Sequence, residues 1–342
     1  MATIKDVARL AGVGLGTASR VISGNGSFSA DAARRVQAAA KELGFRPSNI
    51  ARALSSRSTG TVGVFVPDFN GPFFGPLLNT IDNELRLHDR HMVAANGCGH
   101  EDARQQALDG AQFLIDRECD GIIIVSNALR DADFVSLCKQ FPRIAMINRD
   151  VKGLRARCFS VDHRAAGRLA AQALLDHGHR QFAIVSGPPS AGDNRQRLQG
   201  FFDQLSERGV AADSVIVEEG DFSAQSGWDA TQRLLQRKAD ITGLFCANDQ
   251  MAMGALSCLN HDGISVPADI SVVGYDDAEI APFLSPRLTT VRIPIADMGL
   301  NACRLMLNEC HGNELPVVHR FGAELIVRNS VSKSATQRLK RR

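Results

Sequence analysis

The sequence contains no long apolar run and none of the patterns typical of exported or zinc-binding proteins. Its longest strongly apolar stretches, such as residues 122–125, have the length of one strand, so none can span a membrane. The N-terminus MATIKDVARL carries charges of both signs and lacks the apolar segment of a secretory signal. The eight cysteines are scattered without a C-x-x-C pair, which indicates reduced, mostly buried thiols. These absences favour a cytoplasmic protein without a metal.

Sequence motifs of common enzymes are missing as well. There is no P-loop and no G-x-S-x-G elbow, and Gly97-Cys-Gly99 lacks the third glycine of a dinucleotide fingerprint. The pairs His88/His91 and His177/His179 have no third ligand at metal spacing. We therefore predict that the protein is not an enzyme and binds no cofactor.

The sequence does have an uneven distribution of charge behind its net +2. Residues 1–60 hold nine Lys/Arg and three Asp/Glu, whereas residues 61–332 carry a net charge of −9. Five further bases and no acid lie in residues 333–342, a tail to which no role is assigned. A basic head on an acidic body predicts a polyanionic partner for the head and a separate task for the body.

The head shows only helical signals. Apolar residues at helical spacing predict helices up to Ala11, over about 16–23 and over about 31–43, with glycines after each. A linker follows from Pro47 to about Gly60 and contains one short segment with helix-forming residues. Helix, tight turn and second helix predict a helix-turn-helix in which Arg20 can reach phosphate or guanine. A three-helix bundle unrelated to DNA is the alternative.

From residue 61 strands and helices alternate, which predicts parallel sheets covered by helices. Two rounds of this pattern, 61–160 and 161–290, fit two similar α/β lobes with a binding crevice at the strand carboxyl ends. The predicted strands are 62–66, 92–95, 121–125, 144–147, 182–186, 215–217, 244–247, 272–275 and 289–293. The predicted helices are 73–88, 101–117, 131–139, 163–177, 194–208, 224–237, 249–261 and 296–310.

Several segments resemble the LacI/GalR family of bacterial transcriptional regulators, in its galactose and β-glucoside repressor-like branch. They include TIKDVARLAGV, ELGFRPSNIARAL, DHGHRQFAIVSG, CANDQMAMGAL and SPRLTTVRIP, and the resemblance covers nearly the whole chain. It implies an all-α helix-turn-helix head plus an α/β periplasmic-binding-protein-like body with two Rossmann-like lobes. The implied boundaries are 1–46 for the head, 47–60 for the hinge helix and linker, 61–160 plus 291–319 for the N-terminal lobe, 161–290 plus 320–331 for the C-terminal lobe, and 332–342 for the tail.

The resemblance also implies which residues bind DNA. Leu15, Gly16 and Arg20 occupy the positions that read operator bases, and Leu54 is similar to a leucine that wedges into the minor groove. An ordinary buried linker residue is the alternative for Leu54. Gly14 replaces the usual Ser cap, and Gly16 offers no side chain to a base. The full set of expected DNA contacts is Thr3, Leu15, Gly16, Thr17, Ser19, Arg20, Asn25, Arg46, Asn49, Ala51, Arg52 and Leu54.

For the body, the resemblance implies a small effector, a hexose or glycoside, held by planar hydrogen-bonding groups and an aromatic platform. The expected effector contacts are Asp68, Phe73, Phe74, Asn148, Arg149, Arg197, Phe222, Asn248 and Asp276. Two neighbours, Asp249 and Asp277, could equally cap helices or pair with arginine. Phe73 and Phe74 could instead be core residues at a helix start.

The resulting prediction is a cytoplasmic, nucleoid-associated homodimer that binds a palindromic operator in double-stranded DNA as a repressor and is released by the sugar. A dimer is expected because the C-terminal leucine heptads of tetrameric relatives are absent. Two alternatives stay open: a solute-binding protein without DNA function, and a regulator that uses a non-sugar corepressor. The sequence does not decide between inducer and corepressor.

Overall fold

The computed structural model describes residues 2–24, 26–45, 58–69, 71–97, 102–238 and 240–334. The chain separates into two compact units. The first holds the chain up to Thr61 together with Glu118–Asp120, and the second holds the rest. No helix in the described ranges is long and apolar enough to cross a membrane.

The first unit begins with three short helices. Thr3 starts the first helix by a capping box in which its hydroxyl and backbone N–H both bond to Asp6. Gly12 ends that helix with φ +61°, a left-handed conformation that glycine adopts without strain. Small apolar side chains, among them Val7, Ala18 and Val36, are buried between the helices. The helices are α1 (Ile4–Ala11), α2 (Leu15–Ser23) and α3 (Ala30–Glu42).

Asp120 anchors the chain where the linker ends. Its carboxylate accepts hydrogen bonds from the Ser58 hydroxyl at 2.7 Å and from the backbone N–H groups of Thr59 and Gly60, each at 2.8 Å. Because the carboxylate satisfies three donors at once, it fixes residues 58–60 before the first strand.

The second unit contains two six-stranded sheets covered by helices, so the predicted fold class is confirmed. The first sheet has the order β11-β5-β4-β3-β1-β2, and the second has the order β12-β10-β9-β8-β6-β7, in which β12 runs antiparallel to β10. The strands are β1 (Thr61–Val66), β2 (His91–Asn96), β3 (Gly121–Val125), β4 (Ile144–Ile147), β5 (Cys158–Val161), β6 (Phe182–Ser186), β7 (Ile216–Glu219), β8 (Gly243–Cys246), β9 (Ser271–Asp276), β10 (Thr289–Arg292), β11 (Arg320–Phe321) and β12 (Glu324–Ile326).

The central strands are buried along their length, as the continuous apolar runs of β3 and β6 predict for parallel sheets covered on both faces. Helices α4 and α11 pack together against the first lobe, and α7 packs on α8 in the second. The helices of this unit are α4 (Phe74–Leu87), α5 (Ala103–Asp116), α6 (Asp131–Gln140), α7 (His163–Leu175), α8 (Gly192–Glu207), α9 (Ala224–Gln236), α10 (Asp249–His261) and α11 (Ile295–His311).

The chain passes between the lobes slightly later than the sequence indicates. Arg292 still pairs with Asp276 in the second sheet, and Arg320 and Phe321 pair with β5 in the first. The expected crossings at 290/291 and 319/320 therefore each fall two residues too early. Strands β5, β11 and β12 were not predicted, because they have two to four residues and no helix separates β4 from β5.

Close contact between α7 and α8 positions the helix that carries Arg197. A Cβ atom at Gly167 would overlap the carbonyl of Arg197, and one at Gly200 would overlap the carbonyl of Arg164. Only glycine permits this backbone approach, which holds α8 firmly against α7.

Candidate functional site

A cavity of about 360 Å³ opens between the lobes, at the carboxyl ends of the parallel strands. This volume lies within the range of about 300–1,000 Å³ typical of small-molecule sites. Eight of the nine predicted effector contacts line it. They are Asp68, Phe73, Phe74, Asn148, Arg197, Phe222, Asn248 and Asp276.

Arg197 lies at the base of the cavity with its side chain 3% exposed. Its guanidinium donates to the Ala247 carbonyl at 2.6 Å and to Asp193 Oδ2 at 2.5 Å. The group also lies over the Tyr275 ring, 4.1 Å from the centroid, where cation–π attraction holds it flat. Its Nε has no hydrogen-bond partner among the described residues. Arg197 is thus rigidly placed with one donor left for a ligand.

Asp193 is a site residue that the sequence analysis missed. Its Oδ2 accepts from Arg197 on the same helix, from Asn148 Nδ2 at 3.1 Å and from Asn127 Nδ2 at 3.5 Å in the other lobe. Burial is the largest single influence and raises the pKa of this carboxyl, but the Arg197 charge and the backbone hydrogen bonds at the start of the helix together hold the pKa below its usual value. Asp193 and Arg197 are four residues apart, a spacing that places two side chains on the same face of a helix. The predicted helix began at residue 194 and so excluded Asp193, whereas α8 begins at Gly192.

Phe222 provides an aromatic wall in a left-handed conformation, with φ +74°. A Cβ atom at Gly187 would overlap its ring, so this glycine makes room for it. Asn248 Nδ2 donates to the Phe222 carbonyl at 2.9 Å, while Asn248 Oδ1 accepts the Met251 N–H and caps α10. Asn248 therefore lines the cavity and also fixes the loop that carries Phe222.

Three acidic residues near the end of β9 have different roles. Asp276 is buried in the cavity wall, and burial raises its pKa well above the usual value. Asp277 instead pairs with Arg292 at 2.7 Å and with Arg328 at 2.6 Å. Asp249 accepts the Thr290 hydroxyl at 2.6 Å and the Ala278 N–H at 2.8 Å, and burial raises its pKa to about 7. Both residues thus hold the loop that presents Asp276. Asp277 pairs with arginine, as its structural alternative predicted, whereas Asp249 neither caps a helix nor pairs with arginine among the described residues.

Four buried polar atoms around this cavity have no hydrogen-bond partner among the described residues. They are Asn148 Oδ1, Asp193 Oδ1, Arg197 Nε and Asp276 Oδ1. Buried polar groups are paired in the great majority of cases, so such a cluster indicates a place where a ligand completes the pairing. Donors and acceptors beside the apolar rings of Phe73, Phe74 and Phe222 match a molecule with hydroxyls and an apolar face.

One of the nine predicted effector contacts, Arg149, lies elsewhere, and the two phenylalanines have a double role. Arg149 does not line this cavity, because its guanidinium pairs with Asp131 at 2.7 Å and lies over the Phe134 ring. It borders a neighbouring cavity instead. Phe74 is the first residue of α4 and lies 5.0 Å from Phe73, edge to face. Both rings pack against the core and also line the site, so the two alternatives for them are compatible.

Five of the six predicted DNA contacts that the structure describes lie on the surface of the head. Leu15 is 46% exposed, and Gly16, Ser19 and Arg20 are exposed on the same helix. Thr17 is half-buried and accepts a hydrogen bond from Arg20 at 3.3 Å, while Thr3 caps α1 and is exposed. The remaining predicted contacts lie outside the described residues. They are Asn25, Arg46, Asn49, Ala51, Arg52 and Leu54.

Gly14 occupies the N-cap position of α2 in extended backbone and makes no side-chain cap bond. A Cβ atom at Gly16 would have ordinary contact with Arg20 at 3.9 Å, so no steric constraint requires glycine there. The first turn of α2 is consequently less stable than it would be with a capping side chain at position 14 and a better helix former at position 16, both of which its backbone geometry would accept.

Comparison with known proteins is in accord with this arrangement. Residues 3–48 match the family described as bacterial regulatory proteins, lacI family, and residues 171–331 match a periplasmic binding protein-like domain. The chain is 38% identical over 333 residues to the HTH-type transcriptional regulator GalR of Escherichia coli K12, covering 97% of this chain and 96% of that protein.

Two solved structures extend the comparison. The lac repressor dimer bound to operator and the anti-inducer ONPF is 27% identical, covers 97% of this chain and 99% of its own, and has a TM-score of 0.84. The transcriptional regulator CelR in complex with cellobiose is 31% identical, covers 96% and 100% of the two chains, and has a TM-score of 0.69. The chain belongs to the LacI family of bacterial transcriptional regulators.

Proposed function

We propose that this protein is a homodimeric transcriptional repressor that binds a palindromic operator and is released by a sugar bound between its lobes. The observation that carries the sugar assignment is the cluster of four unpartnered polar atoms beside Phe73, Phe74 and Phe222. The relative CelR holds cellobiose, and the lac repressor dimer holds operator. Acting on DNA implies a cytoplasmic, nucleoid-associated location.

The head supplies the DNA contacts in this proposal. The exposed N-terminal part of α2 enters the major groove. There the Leu15 side chain makes apolar contacts with bases, and Arg20 reaches a guanine edge or a phosphate. A dimer places two such helices about one helical turn of DNA apart, which explains the palindrome. Gly16 contributes no side chain, so specificity depends more heavily on its neighbours.

The hinge segment completes the operator complex. We assign Asn49, Ala51, Arg52 and Leu54 to it, with the Leu54 side chains of the two protomers unstacking the central base step in the minor groove. Replacing Leu54 by Ala should weaken operator binding strongly and leave sugar binding unchanged. Equal operator affinity of the two proteins would show that Leu54 is not the wedge.

The two lobes can adopt a more open and a more closed state, and the effector acts because it binds one of these states more tightly than the other. Asp193 in one lobe is hydrogen-bonded to Asn148 and Asn127 in the other, so the lobes are in contact at the point where a sugar would bind. A ligand that exchanges these bonds for its own hydroxyls changes closure, and operator affinity falls by its differential affinity for the two states.

Two measurements test the proposal together. Random-sequence selection with the full chain should enrich a palindrome, and the Arg20→Ala variant should lose that selectivity while the body variant Arg208→Ala keeps it. Calorimetry with D-galactose, D-glucose, D-ribose and cellobiose should find a binder that lowers operator affinity and is lost in Arg197→Ala. Binding of a purine base with no sugar response would favour the corepressor alternative, and no enriched palindrome would refute the DNA function.

A further inference from the structure

A second cavity of about 460 Å³ adjoins the cleft. Asn127, Asn148 and Asp193 line both cavities and therefore form the wall between them. The only bonds across that wall that join the two lobes here are Asn148 to Asp193 at 3.1 Å and Asn127 to Asp193 at 3.5 Å, among the residues that the structure describes. A ligand in the cleft that replaces these two bonds has direct access to the second cavity.

The burial and hydrogen bonding of His163 indicate that the second cavity binds a ligand. It is 3% exposed at the start of α7, and it lines this cavity but not the cleft. Its Nδ1 is 2.8 Å from the Tyr275 hydroxyl, while its Nε2 has no partner within the described ranges. Burial and the nearby Arg197 charge lower the pKa of His163 to about 4, so the ring is neutral. A buried neutral ring nitrogen without a partner is suited to a hydroxyl.

The charges of this cavity favour a neutral ligand. Arg149 pairs with Asp131, Arg164 with Asp203 at 2.6 Å, and Asp150 with Arg320 at 2.7 Å. Arg195 donates to the carbonyls of Pro189 and Ser190. Since the guanidiniums that line the cavity already donate to carboxylates or, for Arg195, to two carbonyls, a phosphate or carboxylate would gain little here. Besides His163, the uncharged polar side chains of the lining are amides and a hydroxyl: Asn127, Asn148, Gln196, Gln199 and Ser160.

We infer that the second cavity is a subsite for a second, uncharged, hydroxyl-rich unit of the effector, with His163 Nε2 as its buried hydrogen-bond partner. The effector is then a disaccharide or a glycoside with a polar aglycone rather than a monosaccharide. Its first ring lies in the cleft by Phe222 and Arg197, and its second unit passes between Asn148 and Asp193. This inference rests on the proposed sugar function.

The test compares mono- and disaccharides on variants of one residue. Calorimetry with the full-length dimer measures D-glucose against cellobiose and D-galactose against lactose. At least one disaccharide should bind about tenfold or more tightly than its monosaccharide. His163→Asn keeps an atom near the Nδ1 position for Tyr275 but removes Nε2, so it should weaken the disaccharide about five- to tenfold and leave the monosaccharide unchanged.

Three further variants make the result specific. His163→Gln keeps an atom near the Nε2 position but loses the hydrogen bond to Tyr275, whose ring supports Arg197. It should therefore change the affinity for both sugars equally. Gln196→Ala, at an exposed position of the same cavity, should fold normally and weaken only the disaccharide. His261→Asn, on the far end of α10, should change neither.

The outcomes separate this inference from the proposed function. If sugars bind but disaccharides bind no more tightly, or His163→Asn and Gln196→Ala weaken both classes equally, the subsite is refuted while the sugar function stands. If no sugar binds, the proposed function fails and the subsite with it.

Discussion

The buried pair formed by Arg197 and Asp193 should dominate the energetics of the effector site. Its atoms are 2.5 Å apart and the two side chains are 3% and 2% exposed. Removing one partner leaves an uncompensated buried charge, which costs about 3–5 kcal/mol. We therefore expect Asp193→Asn and Arg197→Met each to lower the free energy of unfolding of the body by about 3 kcal/mol or more.

The double variant is the decisive measurement. When both charges are absent no charge is stranded, so Asp193→Asn with Arg197→Met should cost about as much as one single variant, giving a coupling energy of about 3 kcal/mol. The control is the exposed pair Arg208–Asp176, at 3.3 Å and with side chains 44% and 48% exposed. Asp176→Asn should cost less than about 1 kcal/mol.

Urea unfolding at fixed protein concentration measures these differences. Far-UV circular dichroism reports the helices, and the fluorescence of Trp228, the single tryptophan, reports the second lobe. Single variants that each cost less than 1 kcal/mol, or a double variant equal to the sum of the singles, would refute the assignment of a coupled buried pair. All three variants should lose sugar binding, since each removes a group that faces the cleft.

Three further predictions concern glycines and titrating groups. Burial raises the pKa of Asp249 in the folded state to about 7. Between about pH 4 and pH 7 the folded protein therefore holds a proton that the unfolded chain releases. The contribution of Asp249 to stability is present below about pH 4 and is lost as the pH rises to 7. Asp249→Asn imitates the protonated carboxyl, and urea midpoints should show a flatter profile over that range; an unchanged profile would contradict the assignment. Gly187→Ala should displace Phe222 and weaken sugar binding at least tenfold by calorimetry, whereas Gly75→Ala, where a Cβ has open space, should not. Gly16→Ala should raise the melting temperature of the head, gaining up to about 1 kcal/mol of helix propensity, while Gly26→Ala, at φ +87° and with a Cβ 2.8 Å from Arg20 Cδ, should lower it; the reverse order would show that Gly16 is required by the backbone.

The alternating sequence pattern was sufficient to predict the two α/β lobes, because parallel sheets require buried strands separated by amphipathic helices. It failed where a strand has too few residues to show a pattern. Arg320 and Phe321 form a two-residue strand whose pairing depends on β5, which is far away in sequence. No local signal assigns such a segment to one lobe or the other, and the crossing expected at 319/320 was displaced for that reason.

The candidate site was predictable to the extent that its residues follow strand ends. Asn148, Asn248 and Asp276 lie at the end of a strand or within two residues after it, so topology alone brings them together. Arg149 follows Asn148 by one residue, but its long side chain pairs with Asp131 and turns away from the cleft. Asp193 lies on a helix turn whose start could be set only by the packing of α8 on α7. Position along the chain thus indicated the neighbourhood, and side-chain partners decided which residues face the ligand.

Backbone strain is concentrated at the cleft and directly beside it. Non-glycine residues with positive φ include Asp89, Glu118 and Lys238, each just after a helix end, where the left-handed conformation is common. Asn148, Phe222 and Asp276 line the cleft, and Asp277 follows the last of them. Such conformations cost about 1–3 kcal/mol each.

Each of the three strained residues that line the cleft is held by groups with no strain of their own. Asn248 holds the Phe222 carbonyl, Asp249 holds the turn after Asp276, and the Phe159 carbonyl accepts the N–H of Asn148. The surrounding bonds therefore stabilise conformations that no local sequence preference favours. This is the reason that the cleft can be rigid before a ligand arrives, with its unpartnered atoms already in place.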